Sequence, residues 1–188
     1  MGNLLETYRV DIQCIYAKLL ENPYRAQAYS SWESLVATGA RWDFKVAIER
    51  GFRVDGLVLC HDSTQCRWCD SDVPGNIHYG YVGKAAGFLG IGLYVGAGKA
   101  QQEGTDPASG RFLSYRDDPL DSIAIRAGLD LYTRSASATP ESFRSTIFKY
   151  RFSLRPGDEP RFGEYRAPYQ IDPGLGPHFP VTYFDDGG

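Results

Sequence analysis

Four aspartates offer the groups that acid–base chemistry needs: Asp43, Asp117, Asp118 and Asp121. The first lies in RWDFK and the other three lie in RDDPLD. A glycoside hydrolase needs two carboxyl groups roughly 5–9.5 Å apart, one protonated as the acid and one ionised as base or nucleophile. Asp43 lies between Trp42 and Phe44, where partial burial would suit it to the acid role. An ion pair with Arg41 or Lys45 would explain the same residue without catalysis.

The RDDPLD segment also has the pattern of a helix start. Asp118 would be the N-cap, Pro119 the first helical residue and Asp121 the third, where a carboxylate suits the positive end of the helix dipole. These capping roles explain Asp118 and Asp121 without any substrate. As a catalytic pair, the sequence favours Asp43 together with either Asp117 or Asp121.

Polar and aromatic residues are concentrated in NIHYGYVGKAAGF, at positions 76–88. His78 could act as acid or base, position a substrate, or tie the loop together through hydrogen bonds to the backbone. We expect residues 76–81 to form a polar rim that leads into a helix starting near position 83. The aromatic rings could stack on sugars or on bases. The residues expected to bind substrate are Asn76, Tyr79, Tyr81, Trp42 and Lys45.

Three of the four cysteines cluster in LCHDSTQCRWCD. Cys60, His61, Cys66 and Cys69 could form a tetrahedral zinc site, because thiolates and imidazoles are zinc ligands. The side chains of adjacent Cys60 and His61 point in different directions unless the loop curls, which favours a disulfide or reduced thiols over a metal. We therefore expect neither a metal nor another cofactor.

The composition is that of a globular chain with one domain over residues 1–188. Hydrophobic residues make up 43% and aromatic residues 14%, which is enough to form a sizeable core. The net charge of −3 disfavours a nucleic-acid partner, because phosphate backbones usually require a basic surface. The sequence shows neither an apolar run long enough to span a membrane nor a Sec-type leader.

Apolar periodicity predicts a mainly α fold with minor β structure. Helices are expected over 3–20, over 26–37, in two pieces up to about 102 that break near Gly87 and Gly90, from the Asp118 cap to about 134, and from Thr139 to about Phe148. The small residues Gly80, Gly83 and Gly87 would let one helix approach another backbone closely.

The remaining segments are less regular. Residues 40–52 favour a helix over a strand, and VDGLVLC predicts a strand. The cysteine loop and the following Val73-Pro74-Gly75 are expected to form a long connection. Residues 154–188 are rich in Pro and Gly, which predicts an irregular C-terminal segment.

Four segments resemble, in order, successive blocks of the bacterial polymorphic toxin type 44 domain. They are RWDFK at 41–45, NIHYGYVGKAAGF at 76–88, VGAGKAQQ at 95–102 and RDDPLDSIAIRAGLDLY at 116–132, within about 41–134 of the chain. Ser122 stands where Gln would be expected, and the cysteine-rich loop is not part of the pattern. The resemblance implies a delivered toxin or effector, with a cognate immunity protein as its partner and the periplasm or cell exterior as its target.

The resemblance does not fix the chemistry, and the residues favour a muramidase-like glycosidase that degrades peptidoglycan. Clustered aspartates would repel an anionic nucleic acid but not a neutral polysaccharide. An RNase toxin centred on His78 and Lys45 is the first alternative, and a non-catalytic binding module is the second. The catalytic candidates are Asp43, Asp117, Asp121 and His78.

Overall fold

The computed structural model describes residues 8–45, 56–60, 66–103 and 118–156. Six α-helices and one two-stranded antiparallel sheet form in these ranges, and a short 3₁₀ turn, Asn22–Tyr24, separates the first two helices. In chain order they are α1 (Arg9–Leu20), α2 (Arg25–Val36), β1 (Gly56–Cys60), β2 (Cys66–Asp70), α3 (Asp72–Ala85), α4 (Gly90–Glu103), α5 (Pro119–Arg134) and α6 (Pro140–Tyr150). The predicted mainly α fold with minor β structure is confirmed.

The centre of the fold is a close crossing of α3 and α5 through two glycines. A Cβ atom on Gly80 would lie 2.1 Å from the carbonyl oxygen of Ile125, and one on Gly128 would lie 2.0 Å from the carbonyl oxygen of Ile77. Both distances are far below van der Waals contact, so only glycine allows the two backbones to meet here. The expected packing role of Gly80 is therefore confirmed.

The contacts run in the same direction along α3 and α5. Asp72 at the start of α3 interacts electrostatically with Asp121 at the start of α5, and the ring of Tyr81, further along α3, contacts the ring of Tyr132 near the end of α5. The two helices are therefore parallel, and their N-terminal ends lie at the same end of the molecule.

Aromatic side chains from α1, α2 and the turn after α2 cover another face of α3. Trp32 is 5% exposed and contacts the rings of Trp42, Tyr79 and Phe88. A Cβ on Gly83 would lie 2.6 Å from Leu93 of α4 and 3.2 Å from Trp32. This glycine therefore lets α3 pack tightly against both neighbours.

The sheet holds the segment that follows α6. In β1 and β2 the register pairs Val58 with Trp68, and Cys69 also forms a bridge with Pro156. The backbone N–H of Asp70 donates to the Arg155 carbonyl over 3.2 Å. The main chain at Arg155 is therefore fixed beside the start of α3.

The predicted helix caps of the C-terminal half are confirmed. The Asp118 side chain accepts a hydrogen bond from the Leu120 N–H (2.8 Å), and Pro119 is the first residue of α5. Thr139 forms a capping box with Ser142 at the start of α6. Three other predictions also agree with the structure. They are the strand at 54–60, the helix over 26–37 and the break between two helices around Gly87 and Gly90.

The prediction for the segment from Val73 to Tyr81 is wrong. The expected long connection contains β2 and the first turn of α3. The expected polar rim also lies within α3, which starts at Asp72 and ends at Ala85 rather than starting at Gly83. Pro74 lies in its first turn, where a missing N–H costs no hydrogen bond within the helix.

Several predictions fall outside the described residues. These are the helix over 3–20 as far as residue 7, the helix over 40–52 from residue 46 onward, and the irregular tail beyond residue 156. In the described ranges, no helix is both long and apolar enough to cross a lipid bilayer.

The glycine crossing predicts that Gly80→Ala destabilises the protein strongly. The new methyl group would displace the Ile125 backbone rather than a flexible side chain, so we expect a loss of about 1–3 kcal/mol or more in the free energy of unfolding. Urea denaturation followed by circular dichroism measures this loss as a lower midpoint.

Gly92→Ala in α4 is the matched control. Its Cβ would meet only the Tyr29 hydroxyl oxygen, at an ordinary 3.4 Å. We expect a neutral effect or a gain of up to about 1 kcal/mol from helix propensity. Equal midpoints for Gly80→Ala and the wild type would contradict the proposed backbone contact.

Candidate functional site

Charged side chains gather where the N-terminal ends of α3 and α5 meet. They come from the turn after α2, from the end of β2, from the first turns of both helices and from the segment after α6. The members of this cluster, called here the N-terminal cluster, are Lys45, Asp70, Asp72, Asp118, Asp121 and Arg155.

Arg155 joins the two carboxylates of α5. Its Nη2 atom lies 3.1 Å from Oδ1 of Asp118 and 3.1 Å from Oδ1 of Asp121. The guanidinium group is further attracted by Asp70, whose backbone fixes the Arg155 main chain. Because an arginine holds carboxylates with a planar, rigid set of donors, this contact sets the relative position of the two acids.

Asp118 and Asp121 differ in exposure. The Asp121 side chain is 8% exposed, whereas that of Asp118 is 41% exposed. Burial raises the pKa of Asp121, although Arg155 and Lys45 act in the opposite direction. Loss of hydration disfavours the charged form of a carboxyl group, so Asp121 keeps its proton to higher pH than an ordinary aspartate.

Lys45 connects the turn after α2 to the same cluster. Its Nζ atom lies 3.3 Å from Oδ2 of Asp72, and its side chain lies over Gly75, where a Cβ atom would come within 2.9 Å of Lys45 Cγ. Asp72 and Lys45 both interact electrostatically with Asp121. The lysine therefore compensates part of the negative charge of the cluster.

Asp43 has a clear role in building this turn. One carboxylate oxygen accepts from the Gly39 N–H (2.8 Å) and the other from the Lys45 N–H (3.1 Å). The two cations considered as its partners lie elsewhere, since Arg41 pairs with Asp11 and Lys45 with Asp72. Asp43 therefore fixes the backbone that presents Lys45 to the cluster.

Asn76 lies one turn after Asp72 on α3. The residue is only 9% exposed, and no hydrogen-bond partner for its Nδ2 atom exists among the residues that the structure describes. The same holds for the Nε atom of Arg155. The Asn76 amide and the Arg155 guanidinium thus each contain a buried donor atom with unused hydrogen-bonding capacity, which is costly unless an acceptor is supplied.

His78 lies in an aromatic cage on another face of α3. Its ring is 3.9 Å from that of Phe44, 6.0 Å from Tyr8 and 6.4 Å from Trp42, between ring centroids. The residue is 8% exposed, and burial lowers the pKa of His78 to about 3. His78 is therefore neutral at physiological pH, and its contacts are those of a packed core residue.

The aromatic residues expected to bind substrate have structural contacts. Trp42 is 3% exposed inside the core. The Tyr79 hydroxyl donates to the Leu93 carbonyl (3.1 Å). The Tyr81 hydroxyl donates to the Ala136 carbonyl (2.9 Å) and accepts from the Ala138 N–H (3.0 Å). These contacts join α3 to α4 and to the turn between α5 and α6, and we assign all three residues to packing.

Other candidates lie beyond what the structure describes. Asp117 and His61 are outside the described residues, as are the side chains of Cys60 and Cys66. Cys69 is buried within the core. Over 8–45, 56–60, 66–103 and 118–156, no group of three or more His, Cys, Asp or Glu residues is placed to hold a metal ion.

The sequence reasoning missed Arg155, Asp72 and Asp70. Arg155 lies at the start of a Pro-rich segment that has no periodicity, so only the folded chain reveals its two partners. Asp72 could have been predicted, because it precedes Asn76 by four residues. The two residues share one face of the helix if the helix is extended to position 72.

Comparison with known families identifies the kind of protein. A family profile described as bacterial toxin 44 matches residues 31–134, more than half of the 188-residue chain. The chain belongs to this toxin family. The matched span holds Lys45, Asn76, Asp118 and Asp121 but not Arg155. No curated protein and no solved structure matches the chain. The expected resemblance is confirmed, and the protein is a bacterial toxin domain.

The cage around His78 predicts that acid destabilises the fold. An unfolded chain binds a proton at His78 near pH 6.5, whereas the folded chain binds it only near pH 3. Protonation therefore favours the unfolded state as the pH falls through this window, by about 1.4 kcal/mol per pH unit. Urea denaturation at several pH values between 6.5 and 4 measures the slope.

His78→Phe is the control, because it retains an aromatic ring and removes the titration. This variant should lose most of that slope. Burial of Asp121 acts with the opposite sign, since a raised carboxyl pKa adds stability at low pH that is lost as the pH rises through it. An unchanged slope in His78→Phe would contradict a neutral, caged histidine.

Proposed function

We propose that this toxin domain is a glycoside hydrolase of the muramidase type that cleaves the glycan strands of peptidoglycan. In this proposal Asp121 is the general acid and Asp118 is the ionised partner. One observation carries the proposal: two carboxyl groups of unequal burial share a single guanidinium nitrogen where the N-terminal ends of two parallel helices meet.

The unequal environments of the two acids support the division of roles. A glycosidase needs a carboxyl group that holds a proton near neutral pH, and burial of Asp121 provides the shift in that direction. Asp118 is more exposed; it accepts a hydrogen bond from the Leu120 N–H and forms an ion pair with Arg155. The hydrogen bond from Leu120 and the ion pair with Arg155 therefore hold the Asp118 carboxylate in place, and its side chain is 41% exposed.

The chemistry follows from these positions. Asp121 would donate its proton to the glycosidic oxygen as the bond to the anomeric carbon breaks. Oδ1 of Asp118 and Oδ1 of Asp121 both lie 3.1 Å from Arg155 Nη2, so they are closer than the roughly 6.5–9.5 Å that admits a water molecule between the acids. This spacing supports Asp118 as a nucleophile and a course that retains the anomeric configuration.

The charge of the site favours a neutral polymer over a nucleic acid. In the part of the chain that the structure describes, the N-terminal cluster contains four aspartates and two cations. A phosphodiester would be repelled there. The RNase alternative needs His78 as a base, but this residue is buried in an aromatic cage on a different face of α3.

The biological setting proposed for this activity is that of an antibacterial effector. Membership of the toxin family supports delivery to a target cell and a cognate immunity protein in the producing cell. A wall-degrading enzyme would act in the periplasm or outside the cell. No cofactor enters the proposed reaction.

The proposed acid predicts the outcome of Asp121→Asn. The amide keeps the size of the side chain but has no acidic proton, so release of dye from labelled peptidoglycan should fall by about 10²- to 10⁴-fold. Asp43→Asn should affect release less, because its oxygens bond to backbone N–H groups of the turn.

Asp130→Asn is the matched control on the same helix. Asp130 pairs with Lys149 and Tyr150, more than two turns from Asp121. Its variant should retain wild-type activity once both proteins are shown to be folded. If Asp121→Asn keeps full activity, the proposed acid is wrong; if the wild type releases no dye and instead degrades RNA, the glycosidase proposal is wrong.

A further inference from the structure

Exposed apolar side chains gather at the end of α3 that is opposite the N-terminal cluster. Of the nine large apolar side chains that are exposed in the described ranges, five lie around this end and are called here the apolar patch. They are Tyr16, Tyr29, Leu89, Ile91 and Val95. Single exposed apolar side chains are normal on a protein surface, whereas a contiguous group is typical of a binding surface.

Contacts around the turn between α3 and α4 hold the apolar patch together. Gly87 has a φ of 90°, in the left-handed region, and turns the chain out of α3. A Cβ atom on this glycine would lie 2.6 Å from the ring of Tyr16. The ring of Tyr29 lies 5.0 Å from that of Phe88, between ring centroids. Tyrosines from α1 and α2 therefore lie beside the turn.

The exposure of the side chains in the apolar patch suits a lipid bilayer. Leu89 and Ile91 are 70% and 68% exposed, so these aliphatic side chains project from the surface. Tyr16 and Tyr29 are about half exposed. Surface-bound proteins bury aliphatic side chains in the acyl boundary, and tyrosines lie at the level of the headgroups. Protein interfaces depend more on Trp, Tyr and Arg than on Leu or Val.

Cations border the apolar patch, although the whole chain has a net charge of −3. Lys84 lies in the last turn of α3, and its carbonyl accepts a hydrogen bond from the Gly87 N–H (3.0 Å). Arg25 Nε donates to the Leu19 carbonyl (3.3 Å), and the Leu19 side chain packs beside Gly87. Two cationic side chains thus come from segments that meet at the turn.

The other charges around the apolar patch do not cancel these cations. Glu33 pairs with Lys99 of α4 (4.0 Å), and Lys18 donates to the neutral hydroxyl of Ser31. With Glu21, four cations and two acids border the patch in the described parts of α1 to α4 and the turn between α1 and α2, an excess of positive charge. Two copies of this chain would bring two such borders together, whereas an anionic surface would attract them.

We propose that the apolar patch docks the protein onto the surface of a lipid bilayer that contains anionic phospholipids. Leu89 and Ile91 enter the acyl boundary, Tyr16 and Tyr29 lie among the headgroups, and the bordering cations contact the phosphates. Because α3 has 14 residues and is therefore about 21 Å long, the N-terminal cluster stays away from this contact. The docking does not depend on the proposed glycosidase activity.

Co-sedimentation with sucrose-loaded vesicles tests this docking. The intact 188-residue chain is mixed with vesicles of phosphatidylcholine alone or of phosphatidylcholine with phosphatidylglycerol, and the bound fraction is measured against lipid concentration. The wild type should bind the vesicles with phosphatidylglycerol about tenfold or more tightly, since each basic residue near an anionic surface adds to the attraction. Added salt should weaken this binding, because salt screens the attraction.

The double variant Leu89→Ser/Ile91→Ser removes the projecting aliphatic groups. Its affinity for the anionic vesicles should fall about tenfold or more, because much of the apolar area that leaves water on docking is lost. Phe152→Ser is the matched control, since Phe152 is equally prominent at the surface but lies outside the apolar patch. This variant should bind like the wild type. Lys84→Gln should reduce the preference for phosphatidylglycerol without changing binding to phosphatidylcholine.

Three results would overturn the docking. They are no binding of the wild type to either vesicle, equal binding to both vesicles, and wild-type binding by a double variant with an unchanged urea midpoint. A dimer in sedimentation velocity that the double variant dissociates, with no binding to vesicles, would assign the apolar patch to a second copy of the chain instead. The double variant should release dye from labelled peptidoglycan like the wild type, so docking and hydrolysis are tested separately.

Discussion

The contact between the backbones of α3 and α5 determines where the functional groups lie. Gly80 lies against the carbonyl oxygen of Ile125, and Gly128 lies against the carbonyl oxygen of Ile77. Neither position has room for a Cβ atom, so no larger residue fits there. Because the helices are parallel, the same crossing brings their positive N-terminal ends together, and those ends favour negative charge. Asp72 and Asp121 occupy the first turns, and Lys45 and Arg155 supply the compensating cations.

Burial gives the cluster its chemical asymmetry. The crossing encloses Asp121 while Asp118 remains at the surface as the helix cap. The same helix start thus provides one carboxyl group whose proton is retained and one carboxylate that is held by backbone and guanidinium donors. Capping and catalysis are therefore not competing explanations for RDDPLD, because the cap is what places the two acids beside each other.

The local features of this fold were readable in the sequence. Asp118 and Pro119 mark a helix start because an N-cap oxygen and a missing N–H act within a few residues. Thr139 is predictable for the same reason. The glycines of α3 indicated that another backbone packs closely against this helix. They did not indicate which one, because no residue near Gly80 in the chain identifies Ile125 or Gly128 as its neighbour.

The composition of the site was much less predictable. Arg155 reaches Asp121 from 34 residues away, and its position depends on the bridge between Pro156 and Cys69 and on the hydrogen bond from the Asp70 N–H to the Arg155 carbonyl. The polar neighbours of His78 in the sequence suggested a functional role. In the fold, Trp42 and Phe44 of the turn after α2 contact its ring. Asp43 is a catalytic candidate in the sequence, and in the fold its carboxylate accepts hydrogen bonds from the Gly39 and Lys45 N–H groups, which the sequence does not reveal.

Asp121 lies beside the α3–α5 crossing, and its burial raises the pKa of its carboxyl group. Titration of the ¹³Cγ resonance of Asp121 by NMR measures this directly. We expect a pKa for Asp121 above the ordinary value for an aspartate, because the effect of burial exceeds the stabilisation of the carboxylate by Arg155 and Lys45. A pKa for Asp121 at or below the ordinary value would contradict it.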